Sequence, residues 1–431
     1  MTRSLMVRRG WAALITATTL LLAACGGSND DSGGNASLRI LNATSDVASV
    51  DVYLGSTKTF SASAVDTVGA YTTVTAASYD VQVRAAGGTT ALLASTYTLS
   101  KDKHYTGIAW GRSGSVKFVT LPEDDDTASI TSDAYSRVRV YNATSDVGAL
   151  DVYLTQGGEK LADITPTVSA SGSGTLGGYK ELLAGTYQMR VTAAGSKTDL
   201  RLDIPAVTLA SRQYGTLIVT AGPGSVLVHS ALLVQQGTLT ALKNTKARVR
   251  LAASVEAAGS VTMNVAGSAV ASNIVSPFDS SYTMVTAGSP VIGLVVNGAA
   301  GPSAATTLTP GGDYTVLANG TASATQMTVL TDDNRLPASG TYRIRIVNGV
   351  AGADPVTLVI DDGDVLPGIA SGTASSYTSA AADSSSDIKV TAGSTTLLPL
   401  LTEKNLAALS VYTVWVLGGS AAPTVSLRKD R

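Results

Sequence analysis

Histidine and cysteine are almost missing from this 431-residue chain: His104 and His229 are the only histidines, and Cys25 is the only cysteine. One cysteine excludes an intrachain disulfide, so no part of the fold is stapled. Two histidines separated by 125 positions leave a paired-His metal site or a Ser-His relay without its parts. Charge is scarce too, at 14% of residues, and the formal net charge is −2 with no basic run, which argues against nucleic acid as a partner. Phe and Trp number three each, so cores must come from Val, Leu, Ile and Ala, with 16 Tyr as the large side chains. Helical periodicity of apolar residues is absent, and one long uncharged apolar run occurs, from Trp11 to Ala24.

That run has the three parts of an export signal. Arg3, Arg8 and Arg9 supply the basic start, the apolar stretch follows, and small residues mark a cleavage site. It is shorter than the roughly 20 residues a membrane-spanning helix needs. Its end, Leu22-Ala23-Ala24-Cys25, resembles the bacterial lipobox. The resemblance implies cleavage before Cys25 and lipid attachment at its thiol, where several acyl chains make a lasting anchor. Gly26-Gly27-Ser28-Asn29-Asp30-Asp31-Ser32-Gly33-Gly34 then reads as a flexible tether. Gly rather than Asp at position 26 favours the outer over the inner membrane in a two-membrane host. Loss of the three signal arginines leaves 27 basic against 32 acidic residues, a net charge of −5.

The remaining chain is repetitive. Arg39-Ile40-Leu41-Asn42-Ala43-Thr44-Ser45-Asp46-Val47 returns as Arg139-Val140-Tyr141-Asn142-Ala143-Thr144-Ser145-Asp146-Val147, and Asp51-Val52-Tyr53-Leu54 as Asp151-Val152-Tyr153-Leu154. Weaker copies start at Arg250 and Arg345. Eleven, thirteen and fifteen residues beyond each Arg lie Val50, Val52 and Leu54; Leu150, Val152 and Leu154; Val261, Met263 and Val265; Val356, Leu358 and Ile360. This period-2 stripe predicts a half-buried strand in every copy. A Tyr follows each anchor at 32 residues (Tyr71, Tyr282, Tyr377), or at 40 in the second copy (Tyr179), which predicts an eight-residue insertion there. Tyr105, Tyr214, Tyr314 and Tyr412 open a late hairpin, like the tyrosine corner of immunoglobulin-type sandwiches. Each copy then offers about seven short strands in about 90 residues.

The expected architecture is all-β: four tandem immunoglobulin-like β-sandwich modules after a cleaved signal peptide (1–24) and a lipidated flexible tether (25–36). The modules span 37–121, 137–232, 247–331 and 341–428. The Arg-x-x-Asn-Ala-Thr-Ser-Asp-Val and Asp-Val-Tyr-Leu motifs resemble the family of domains of unknown function DUF4397. The likeness is strong in the first two modules and weaker in the third, with Ala253 and Ala257 for Asn and Asp, and in the fourth, which keeps Asn348 but has Gly352. It implies an exported β-sandwich and carries over no catalytic residue.

Other motifs read as structure. Gly172-Ser173-Gly174-Thr175-Leu176-Gly177 has dinucleotide-binding spacing but lies in what reads as the inserted loop of an all-β module. Ser100-x-x-Lys103 and Ser386-x-x-Lys389 have acylating spacing without a helix to align it. The acidic groups Glu123-Asp124-Asp125-Asp126, Asp332-Asp333-Asn334 and Asp361-Asp362-Gly363-Asp364 read as linker and turn chemistry, with calcium at the junctions as the competing reading. Tyr53 and Tyr153, opposite the core stripe, read as cover for a sheet face, with sugar stacking as their alternative. The expectation is a non-catalytic, lipid-anchored envelope protein with no cofactor and no metal site: a multi-module structural, adhesive or interaction rod. The alternative is a polysaccharide- or peptidoglycan-binding lipoprotein, and a hydrolytic enzyme ranks last. The one expected site residue is Cys25, for lipid.

Overall fold

The computed structural model describes residues 33–431; the signal, Cys25 and the tether up to residue 32 lie outside the described residues. The first module contains β1 (Asn35–Thr44), β2 (Ser49–Leu54), β3 (Thr57–Ala64), β4 (Thr72–Thr75), β5 (Ser78–Ala85), β6 (Ala91–Thr98), β7 (His104–Gly111) and β8 (Lys117–Pro122). Thus β1 takes in Asn35 and Ala36, read above as tether. Two four-stranded sheets form, in the orders β4-β1-β7-β8 and β3-β2-β5-β6. All pairings are antiparallel except that of β1 with β7, which is parallel from Ser37 opposite His104 to Thr44 opposite Gly111.

The other three modules repeat this plan, each with nine strands in place of the expected seven. The surplus is edge strands, such as Leu239–Leu242, which extends the second module's sheet by one. In every module the first strand runs parallel to the strand that opens the late hairpin. All twelve residues of the period-2 stripe are buried and face the opposing sheet of their own module. Among the described residues there is no α-helix.

Three of the four expected tyrosine corners form. The hydroxyls of Tyr105, Tyr314 and Tyr412 accept the backbone N–H groups of Ser100, Thr309 and Ala407, five residues back, at 3.2, 2.9 and 3.0 Å. Tyr214 does not. In the parallel pairing, Tyr105, Tyr314 and Tyr412 stand opposite Leu38, Val249 and Ile344. In the second module Gly215 occupies that place, opposite Val138, and Tyr214 sits one position earlier, opposite Arg137. A one-residue offset in a strand turns the side chain to the other face. Tyr214 therefore points out of its own core and packs on Tyr179, ring centroids 4.8 Å apart. The Gln213 side chain takes its place, accepting the Ala210 N–H at 3.0 Å.

The insertion also sits elsewhere than expected. Asn42 bonds the Ser63 carbonyl as Asn142 bonds that of Ser171, and Asp51 accepts the Ala62 N–H as Asp151 accepts that of Ala170. The eight-residue offset is complete by residue 170, so the extra chain falls before the strand Val168–Ser171, in the loop 156–167. Gly172–Gly177 is therefore not inserted chain. Gly174 (φ +70°) lies where an added Cβ would come within 3.1 Å of the Trp110 ring of the first module.

The modules pair through their sheet faces. Leu41, Ala43, Ile108, Trp110 and Leu121 of the first pack against Tyr141, Ala143, Ile218 and Leu233 of the second. Ala252 and Leu317 of the third pack against Val347, Trp415 and Leu417 of the fourth. The array is two face-to-face pairs, not four beads strung singly.

Candidate functional site

The first strand of each module is covered on both sides, one by its own core and the other by its neighbour module. Position 39 and its counterparts fall on the second side. There each anchor guanidinium repeats one arrangement. Its Nε donates to a Thr hydroxyl on the parallel strand: Arg39 to Thr106 (2.8 Å), Arg139 to Thr216 (3.1 Å), Arg250 to Thr315 (2.8 Å) and Arg345 to Thr413 (3.2 Å). Its plane lies over the landmark Tyr, at 4.7 Å from Tyr71, 4.4 Å from Tyr179, 4.5 Å from Tyr282 and 4.8 Å from Tyr377. Such stacking is strongest where water is excluded.

An acid completes the set in three modules. Thr106 donates to Glu123 (2.7 Å), Thr315 to Asp332 (2.6 Å) and Thr413 to Asp430 (2.5 Å). In the first module the acid serves its own anchor, Arg39 contacting both Glu123 oxygens at 2.9 and 2.8 Å. Between the third and fourth modules the acids are exchanged. Arg250 pairs with Asp430 of the fourth module, and Arg345 pairs with Asp332 of the third at 2.5 Å. All four groups are buried or nearly so. Burial alone would raise the Asp332 carboxyl, but Arg345 and Arg250 outweigh it and hold Asp332 below the ordinary value. Burial likewise opposes charge on Arg345, and Asp332 more than restores it. Both partners thus stay ionised.

Between the first two modules the anchor arginines reach backbone acceptors instead. Arg39 Nη1 donates to the Gly237 carbonyl at 2.6 Å, and Arg139 Nη2 to that of Pro122 at 3.3 Å. Gln236 returns its N–H to Glu123 at 2.9 Å. A third junction gathers the second, third and fourth modules around Arg431. Its guanidinium donates to the carbonyls of Asp146 (3.1 Å) and Asn334 (3.0 Å), and also to those of Val147 and Ser225. Burial without a bonded carboxylate pushes Arg431 down to about 10.

These contacts absorb most of the residues singled out from sequence. Asn42 accepts the Thr44 N–H and hydroxyl and donates to Val47, which shapes the loop after β1. Asp46 accepts the Ser113 N–H, while Asp146 takes Arg112 from the neighbouring module at 2.5 Å. Asp51 accepts the Ala62 and Gly87 N–H groups and Lys58, a set led by Lys58 that pulls its carboxyl to about 2. The acidic linkers are partnered as well: Glu123 and Asp332 as above, Asp124 by His104 (2.8 Å), Asp125 by Tyr179 (3.0 Å), and Asp333 by Arg335 and Arg343. Among the described residues, no three His, Cys, Asp or Glu side chains converge as metal ligands. Ser386 is buried in a strand, and Lys389 beside it pairs with Asp362. The threonines 106, 216, 315 and 413, and the pair Asp430 and Arg431, were missed. Their signal was the parallel pairing, which places each Thr directly across from its Arg.

Tyr53 and Tyr153 do not present bare rings. The Arg84 guanidinium lies 4.3 Å from the Tyr53 ring centroid. Tyr153 is fully buried, with Lys197 4.9 Å from its ring. The inserted loop explains the difference: the Ile164 carbonyl holds Lys197, and the Glu159 carbonyl holds Arg190 at 2.9 Å. Tyr153 is a packing residue, closed to the sugar stacking weighed above, while the half-buried Tyr53 ring is already stacked with Arg84.

Both histidines are packed. His229 Nδ1 accepts the Asn244 N–H at 3.1 Å, and burial, reinforced by Lys243, pushes its imidazole down to about 4. The unfolded chain binds a proton near pH 6.5 that the folded one refuses, so stability from this group is full above 6.5 and is lost as pH falls towards 4. A melting series from pH 7.5 to 4.5 is expected to fall across that window, and His229→Gln to flatten it; an unchanged slope in the variant would remove His229 as the cause.

A family model described as a domain of unknown function, DUF4397, matches residues 36–153, 136–264 and 247–349. The fourth module lies mostly beyond those spans yet carries the same Arg-Thr-acid-Tyr set. No curated protein matches the chain. Among solved structures it is similar to the product complex of a multi-modular glycogen-degrading pneumococcal virulence factor, SpuA, at 10% identity and a TM-score of 0.15, covering 86% of this chain and 38% of that one. It is also similar to the Bacillus anthracis TIE protein, at 9% identity and a TM-score of 0.15, covering 88% of this chain and 66% of that one. The chain thus spans about two fifths and about two thirds of those proteins.

Proposed function

This chain belongs to the DUF4397 family of domains of unknown function, and from that premise we propose a non-catalytic, lipid-anchored cell-envelope protein whose four modules work as one interaction body at the outer membrane. One observation supports it above all: the repeated anchor arginines are spent on joining modules. Arg39, Arg139, Arg250 and Arg345 lie against neighbouring sheets, where a reactive cleft would need them free. Face-to-face pairing suits a body that holds a surface at a set distance from a membrane. The export signal and Cys25 supply the membrane end.

The test is fractionation with metabolic palmitate labelling of cells making the full chain. Wild type is expected in the membrane fraction with label, and Cys25→Ser without label and released. A Cys25→Ser protein that remains fully membrane-bound would sink the anchor. Protease treatment of intact cells then reports which face the modules occupy.

A further inference from the structure

We propose that the cleft where the first, second and fourth modules meet is a binding site for an anionic saccharide of the uronate class. It has a volume of about 470 Å³, within the range of small-molecule sites. The turn after β7 supplies Arg112, the loop after the second module's first strand supplies Asp146, and the linker before the fourth module supplies Arg335 and the wall Leu336-Pro337-Ala338. Arg343, Tyr377 and Ser379 come from the fourth module.

The charges do not cancel. Arg112 and Asp146 satisfy each other, but Arg335 and Arg343 share the single carboxylate of Asp333. Counting bonded groups, two guanidinium groups meet one carboxylate, and Asp46 and Asp146 act on Arg335 without bonding to it. Arg335 keeps 41% of its side chain exposed, and its Nη1 and the Nε of Arg343 have no hydrogen-bond partner among the described residues. Guanidinium groups in this state favour a carboxylate.

The other wall groups ask for hydroxyls. The Tyr377 hydroxyl and Asp146 Oδ1 are sealed from solvent and lie behind the wall. Ser115 and Ser379 line the same cleft and are exposed, so their hydroxyls are open to hydroxyls of a ligand. Leu336 and Pro337 offer an apolar surface for the C–H face of a sugar ring. A uronate carries the carboxylate, the hydroxyls and that face on one ring; a simple inorganic anion lacks the last. None of this depends on Cys25 or on the membrane, so the site and the anchor fail separately.

The test uses calorimetric titration of the secreted chain carrying Cys25→Ser, with trigalacturonate as probe and a neutral galactose trisaccharide as control. Expected is binding of trigalacturonate that weakens at least about tenfold with Arg335→Gln and about threefold or more with Ser379→Ala. Ser379→Ala removes an exposed hydroxyl, so melting should not change. Ala338→Trp fills the cleft from an exposed position and should abolish binding. The proposal is overturned by no binding of trigalacturonate, by equal binding of the neutral sugar or of inorganic phosphate, or by binding that survives Ala338→Trp.

Discussion

Arg250→Met is expected to lower the stability of the third and fourth modules by about 3–5 kcal/mol, the cost typical of breaking a buried ion pair from one side. The guanidinium is fully buried, pairs with Asp430, and lies 3.6 Å from Asp332. Its removal leaves two carboxylates near one remaining cation, Arg345. Those carboxylates cannot reach water, so one must take up a proton or the sheets must part. Replacing all four groups together, with Arg250→Met, Arg345→Met, Asp332→Asn and Asp430→Asn, should recover most of the loss, because hydrogen-bonded neutral groups need no counter-charge. Arg139→Met is the control. Arg139 is only half-buried and donates to Thr216 and a carbonyl, without a carboxylate, so its loss should cost about 1 kcal/mol. Urea unfolding of the four proteins measures this. Equal losses for Arg250 and Arg139 would show that the exchanged pairs do not hold the modules.

The core side of each module was legible because strand alternation is a sequence property: the stripe from Val50 to Leu54 needs no knowledge of any neighbour. The junction side was not. In β1, Leu38 and Ile40 face the core, while Arg39, Leu41 and Ala43 face the next module, and all are buried. The clue lay in what alternation failed to do, since a strand covered on both faces reads as nearly continuous apolar chain. An Arg inside such a run is paired, but sequence cannot say with what. Glu123 serves its own module, whereas Asp332 and Asp430 are exchanged between modules, and this depends on how sheets face one another. Tyr214 misled for a local reason: Tyr-Gly-Thr in place of Tyr-Thr moves the ring one residue, and one residue is one face. Tyr153 misled for a distant one, because the loop that covers it is present only in its module.

Trp110→Ala should uncouple the first module from the second. Truncating a buried Trp costs about 3–5 kcal/mol, and Trp110 is 3% exposed at the centre of this interface. Its ring meets Tyr141 edge to face, with centroids 5.8 Å apart, and Lys117 sits 4.8 Å from it. The second module's backbone comes close at Gly174, so the loop cannot readily move in to fill the gap. What remains between these modules is an apolar rim, a few bonds to carbonyls and the single Arg112–Asp146 pair at the edge, without the two exchanged pairs that join the other two at their centre. Calorimetry should therefore resolve a separate, earlier transition for the first module, and protease should cut the linker 123–134 sooner. The same substitution at Trp415 removes as much ring, yet Arg250 and Arg345 still bridge that interface, so the third and fourth modules should go on melting together. If Trp415→Ala splits its pair as cleanly as Trp110→Ala, apolar contact alone couples the modules, and the buried ion pairs set which sheet faces which without holding them together.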